Sequence, residues 1–188
     1  MKLSQFFLSV FLILALGACT TPGNLKIDTD ELNLALANAN THSNLVIEFV
    51  FTPGILHIYR EGMAGGVFFS SSHSLDADPI AIEMAELVFA KLFDEIYIDP
   101  INSDLKNKRF LLRLKAFAEA TSLACKHIAT VKAALFDQNG TILLETKSIN
   151  TVLGTTCGAE EPMKRAFLRS YKEIALQIDN ILNSRELD

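Results

Sequence analysis

The sequence is short of almost everything that marks an enzyme or a nucleic-acid binder. It has no tryptophan, three cysteines and four histidines, and its 17 Lys and Arg are outnumbered by 22 Asp and Glu for a net charge of −5. Such a balance offers no broad electrostatic footprint for nucleic acid. The histidines, His42, His57, His73 and His127, are scattered without metal-ligand spacing, and no HExxH or Cys/His cluster occurs. The adjacent Ser72 and His73 read as part of a loop, since no GxSxG elbow orients a nucleophile. "GMAGG" lacks the GK[ST] ending of a phosphate loop and reads as a flexible turn, and the carboxylates of "DADP" are accounted for by helix capping. No constellation reads as an active site, so the expectation is a protein without catalysis, cofactor or metal. Tyr59-Arg60-Glu61 and Phe68-Phe69 near the Gly-rich turn read either as ordinary strand side chains or as an exposed contact patch.

Long hydrophobic runs are scarce too. The one that exists, Phe6 to Ala18, is 13 uncharged residues behind Lys2. It is too short to span a bilayer core of roughly 30 Å as a helix and has the flanks of a secretory signal. Its end, Leu16-Gly17-Ala18-Cys19, resembles the lipobox of bacterial lipoproteins. The resemblance implies that the peptide before Cys19 is removed, that the Cys19 thiol carries lipid (palmitate among the acyl chains), and that the mature protein is tethered to a membrane. Each buried CH₂ of such a chain contributes about 0.8 kcal/mol, so several chains make a durable anchor. Thr20 follows the cysteine where an aspartate would direct retention, which by the same resemblance favours the outer membrane, periplasmic face, over the inner. The alternative is an ordinary secretory signal whose cleavage site adjoins a cysteine. The expected partition is a signal peptide over 1–18, a lipidated N-terminus and tether over 19–44, and a single α+β periplasmic domain over 45–188. Loss of Lys2 leaves 16 basic against 22 acidic residues, a net charge of 16 − 22 = −6.

Between Thr20 and Asn44 the pattern fits a linker or a short helix begun at Asp28 or Thr29. "NLVIEFVF" (44–51) has strand composition and ends at Pro53-Gly54, a turn signal. "ILHIYRE" (55–61) and "VFFSS" (67–71) read as short strands, with a loop over 70–74. Asp78 before Pro79 predicts a helix N-cap, and apolar residues at helical spacing carry that helix to about Phe93. "EIYID" (95–99) is a short strand. Across 110–120, Leu112, Leu114, Ala116 and Ala118 point one way and Arg113, Lys115 and Glu119 the other. Cys125–Phe136 and Thr141–Leu153 flank Asn139-Gly140, a hairpin signal because both residues tolerate positive φ. There Lys132, Glu145 and Lys147 share a wet face, and Val131, Ala133 and Leu135 a packed one. From Pro162, a stripe of Met163, Phe167, Tyr171, Ile174, Ile178, Ile181 and Leu182 predicts a long amphipathic helix. The reading is α+β: a mostly antiparallel sheet with two helices packed on one face.

With Cys19 acylated in an oxidising compartment, Cys125 and Cys157 can pair without leaving an odd thiol. If Asn139-Gly140 is a two-residue turn, paired positions sum to 138 + 141 = 279, so Cys125 lies opposite Gly154 and Cys157 follows three residues on. A loop folding back there brings the two Cα atoms within the roughly 4.4–6.8 Å that a disulfide needs. The alternative is two independent buried thiols.

The order of elements, with "LGAC", "ALFDQNGTILLETKSI" and the helix from Pro162, resembles small bacterial envelope lipoproteins of the YajG type and the PqiC-type auxiliary lipoproteins of ABC transport systems for lipids. The resemblance covers about residues 45 to 182, and it implies an adaptor with no catalytic residues. The cysteine pair and "TTCGAEEP" depart from that pattern. Two functions follow as expectations. One is an outer-membrane-anchored accessory protein in envelope assembly or lipid transport, holding an envelope protein partner on a sheet edge or helix face. The other is a lipid- or small-ligand-binding module with a cavity between sheet and helices.

Overall fold

A computed structural model describes residues 25–64, 67–98, 109–122, 125–154 and 159–185. In chain order these form α1 (Leu25–Ala35), β1 (Leu45–Phe51), β2 (Ile55–Ala64), β3 (Val67–Asp76), α2 (Asp78–Phe89), β4 (Ile96–Ile98), β5 (Phe110–Thr121), β6 (Lys126–Asp137), β7 (Ile142–Leu153) and α3 (Glu160–Arg185). Five strands make one sheet in the order β4-β1-β5-β6-β7, and β2 and β3 form a separate two-stranded sheet.

The class is α+β as expected, but the sheet is mixed rather than mostly antiparallel, and three described helices replace the two expected. The cause lies in β1, which runs parallel to both β4 and β5. After β1 the chain leaves through the β2–β3 hairpin and α2 before returning as β4, the kind of crossover that parallel neighbours require. A strand inside such a sheet is buried on both faces and reads as a continuous apolar run. Leu45, Val46 and Ile47 are accordingly all buried, which is why "NLVIEFVF" shows no alternation.

The antiparallel half follows the predicted pattern. Leu112, Leu114 and Ala116 of β5 sit opposite Leu135, Ala133 and Val131 of β6 and face inward, fully or nearly buried. Onto them α3 lays Met163, Phe167, Tyr171, Ile174, Ile178 and Leu182, and α2 adds Ile80, Met84, Val88 and Phe89, in one continuous apolar cluster. The long stripe of α3 is thus core packing. Its central ring, Tyr171, meets Phe89 edge-on and stacks on Phe167, each at 5.9 Å between centroids.

Local details differ from the sequence reading: α2 ends at Phe89 rather than near Phe93, and Gly62, Met63 and Ala64 of the expected "GMAGG" turn continue β2 as strand. The β6–β7 turn is not a two-residue loop: the Gly140 N–H donates to the Asp137 carbonyl, the Asp137 N–H donates to the Thr141 carbonyl, and only Gly140 takes a positive φ, 78°. The Asp137 carboxylate accepts the N–H groups of Asn139 and Thr141, each at 2.8 Å. A bulge between Leu135 and Phe136 then restores the expected sum of 279 all the way to Lys126 opposite Leu153. Asp78 does not cap α2, whose N-cap is Ala77 without a side-chain bond. Its carboxylate instead accepts the Gly54 N–H and the Thr52 hydroxyl, fastening the turn between β1 and β2. Ser70–Ser74 is strand rather than loop, because β3 pairs with β2 along its whole length.

The stretch that fitted either linker or helix is helix, and α1 docks on α3 through buried ions. Asp28 is 1 % exposed and receives Arg165 Nε on one oxygen at 2.6 Å and Arg169 Nη2 on the other at 2.8 Å. Leu32 and Leu36 of the same segment are buried beside this cluster. Removing one partner from such a pair leaves uncompensated charge in low dielectric. Asp28→Ala should therefore cost about 3–5 kcal/mol in chemical denaturation. Glu31→Ala, which breaks the exposed 3.2 Å pair with Lys172, should cost no more than about 1 kcal/mol.

Tyr171 carries the one polar atom of that apolar stripe, and among the described residues its hydroxyl has no hydrogen-bond partner. Burial pushes its pKa far up from the ordinary phenol value. Below pH ~10 the phenol is neutral in folded and unfolded chains alike and its contribution is constant. Above pH ~10 only the unfolded chain ionises, so stability falls as pH rises. Tyr171→Phe should leave stability at pH 7 equal or higher by about 1 kcal/mol and should shift the onset of alkaline unfolding to higher pH in a pH-jump denaturation series.

Candidate interaction surface

With three helices on its inner face, the sheet offers function two regions: its outer face and its edges. At one edge β4 is three residues long; at the other β7 runs for twelve. Inward-facing polar groups pin β7 and β6 to α3. Ser148 Oγ donates to Glu173 Oε2 at 2.6 Å, Asn150 Nδ2 donates to Glu173 Oε1 at 3.1 Å, and Ser170 Oγ donates to the Ala129 carbonyl at 3.4 Å. The outer edge of β7 has no strand partner among the described residues. Ile142, Ile149 and Leu153 stand 52 %, 56 % and 63 % exposed along it. An open edge of this length with apolar side chains is a template for strand pairing with another chain.

On the outer face, register sets like charges side by side. Lys115 of β5 lies opposite Lys132 of β6, which lies opposite Lys147 of β7. Strands are spaced about 4.8 Å, so three ammonium groups cross the sheet within roughly 10 Å. All three are exposed, and none makes an ion pair or hydrogen bond with another described residue. Like charges directly opposite one another destabilise a sheet. Toward one side Arg113 pairs with Glu48 at 2.6 Å, and Glu145 lies beyond them on β7. Toward the other side Phe117, Thr130 and Ile149 form the next row, with Phe51 stacked on Phe117 at 4.6 Å. An open basin of about 730 Å³ lies on the Arg113 side of the lysines, lined by them with Glu48, Val50, Arg113 and Glu145, and the Phe117 row stands outside it.

Of the residues singled out in the sequence, Cys19 and Cys157 lie outside the described residues. Cys125 sits at the start of β6, 9 % exposed, with φ of 44°. Its carbonyl accepts the Gly154 N–H at 2.9 Å, so Gly154 lies where the sum of 279 placed it. The histidines do not converge. His127 is buried with Nδ1 3.0 Å from the Cys125 carbonyl, His42 is buried 4.0 Å from Asp179, and His57 and His73 are exposed on the hairpin. Among the described residues no group of three His, Cys, Asp or Glu could hold a metal, and no helix is long and apolar enough to cross a membrane.

Sequence reasoning missed the Asp28–Arg165–Arg169 cluster. Its signal was the spacing of Arg165 and Arg169 one helical turn apart on α3, which aims both at one neighbour. Part of the lysine row was within reach, since 132 + 147 is also 279.

No family model and no curated protein sequence matches the chain. Among solved structures the chain is similar to protein XCC0632 from Xanthomonas campestris, of family DUF330, with a TM-score of 0.55 over 80 % of this chain and 92 % of that one at 7 % identity. It is also similar to the PelC dodecamer from Paraburkholderia phytofirmans (TM-score 0.48, 14 % identity, 74 % and 92 % covered) and to hypothetical protein CT253 from Chlamydia trachomatis (0.46, 9 %, 75 % and 97 %). The likeness to XCC0632 is one of fold.

The lysine row makes a stability prediction. Lys132→Gln removes the middle charge and should stabilise the protein by about 0.5 kcal/mol at low salt. The gain should vanish near 1 M salt, where the screening length is about 3 Å. Urea midpoints at the two salt concentrations measure it.

Proposed function

We propose that this chain is anchored by lipid on Cys19 at the periplasmic face of the outer membrane. There it serves as a non-catalytic accessory protein in envelope assembly or lipid transport, holding an envelope protein on the β7 edge. One observation carries the reading: the residues between sheet and helices form one continuous buried apolar cluster, while among the described residues a twelve-residue edge strand has no strand partner on its outer side and three exposed apolar side chains. A ligand module with a cavity between sheet and helices would need the opposite arrangement, a deep apolar pocket inside and a quiet edge. The fold shared with XCC0632 supports the envelope-lipoprotein setting.

The same setting makes Cys125 and Cys157 a bridge that clamps the open end of the β6–β7 hairpin. The bond from Gly154 to Cys125 supports it, because it brings the chain that leads to Cys157 alongside Cys125. Mass spectrometry of an unreduced digest should find the cross-linked peptide; two free thiols would exclude the bridge.

Two experiments test the function. Cys19→Ser should move the protein from the envelope fraction to the soluble fraction, and a wild-type chain that is already soluble would overturn the anchor. A photo-crosslinking residue at Leu153, exposed at the end of β7, should trap an envelope protein in intact cells, while one at Glu83, exposed on α2, should not. Adducts at Glu83 alone would contradict the edge as the contact.

A further inference from the structure

The outer basin is a second feature beside the β7 edge; the two meet at Ile149, but the adaptor reading does not use the lysines. A row of three unpaired lysines across adjacent strands is an arrangement that sheet pairing disfavours. It persists in a chain whose overall charge is negative. Local rules broken without local compensation concentrate at functional sites. Three ammonium donors within roughly 10 Å match the oxygens of a phosphate group, for which lysine is a standard point-charge partner. The row directly beside them is apolar, with Phe117 and Ile149 flanking Thr130 and Phe51 stacked on Phe117. The row on the other side is mixed, the Glu48–Arg113 pair with Glu145 beyond it. A ligand that satisfies all three rows bears a phosphate in the middle, an aliphatic chain on one side and hydroxyl groups on the other.

We infer that the outer face binds a single phosphate-bearing amphiphile of the glycerophospholipid class, its headgroup in the basin, the phosphate on Lys115, Lys132 and Lys147, and the start of an acyl chain beyond the basin against the adjacent row of Phe51, Phe117 and Ile149. The basin, about 730 Å³, is of the size that holds a small ligand, roughly 300–1,000 Å³. A membrane surface is the poorer occupant. Glu48 and Glu145 stand on the same face, and an anionic bilayer laid over the lysines would meet them too. A flat acidic protein surface would leave the apolar row beside the lysines unmatched.

The test uses the full chain carrying Cys19→Ser, titrated by calorimetry with dihexanoyl phosphatidic acid below its micelle concentration. Dihexanoyl phosphatidylcholine, inorganic phosphate, phosphatidylglycerol vesicles and poly-glutamate are the comparison probes. Phosphatidic acid should bind saturably and more tightly than phosphatidylcholine or phosphate. Lys132→Gln should weaken it roughly tenfold, the loss of a charged hydrogen bond, and Ile149→Ser should weaken it while leaving phosphate binding unchanged. Circular dichroism of each variant verifies that it is folded. No saturable binding by the wild type would overturn the site. So would equal affinity for phosphate and phosphatidic acid, or unchanged binding by folded Lys132→Gln. Binding to vesicles or to poly-glutamate without binding of the monomeric lipid would overturn this occupant in favour of a membrane or an acidic protein. None of these outcomes bears on crosslinking at the β7 edge, so the two proposals fail separately.

Discussion

Unequal burial of the two faces of β5, β6 and β7 is the constraint from which the rest of this structure follows. Helices α1, α2 and α3 all lie on the inner face, and every apolar side chain that β5 and β6 send inward finds a partner there. The hydrophobic effect is spent on that single interface, of order 25 cal/mol for each Å² of apolar surface removed from water. No described helix covers the outward positions of β5, β6 and β7, and those positions are free to carry charge. Among the described residues, the surfaces left open by this packing are the outer face and the edge of β7.

Charge is used in two opposite ways on the two sides of this sheet. Behind the helices, Asp28 is sealed from water and held by two arginines from the next turn of α3. Such a cluster is weak as a source of stability and strong as a specifier of geometry, since any misplacement strands a buried charge. It fixes where α1 sits. On the outer face, Lys115, Lys132 and Lys147 are set opposite one another with no acid between them. Water and salt make that tolerable, and it would be simple to relieve by one neutral side chain. The first arrangement holds the fold together; the second adds nothing to its stability.

What could be read from the sequence depended on whether a local pattern or a distant neighbour decided the outcome. The α3 stripe and the alternation of β5, β6 and β7 are local periodicities, and each side chain faces where its period places it. The hairpin register followed from Asn139-Gly140, although the turn takes one more residue and a bulge absorbs the difference. Parallel pairing of β1 was not local, since the partners at Ile96 and Phe110 are far along the chain. Its trace in the sequence was the lack of alternation in "NLVIEFVF". Asp78 resembled a cap because Pro79 follows it, yet the nearby Gly54 N–H competes for the same carboxylate and wins. The candidate site was half legible: the hairpin sum pairs Lys132 with Lys147, whereas Lys115 joins them only through the β5–β6 register, which no turn signal announces.

The central claim is that the working surface of this protein is the helix-free side of its sheet. Amine labelling in intact envelopes, compared residue by residue with the purified protein, tests it most directly. Lys115, Lys132 and Lys147 should be severalfold less reactive in the envelope than in isolation, while Lys91, exposed just beyond α2, should react equally in both. Equal reactivity of all four in both preparations would contradict the account.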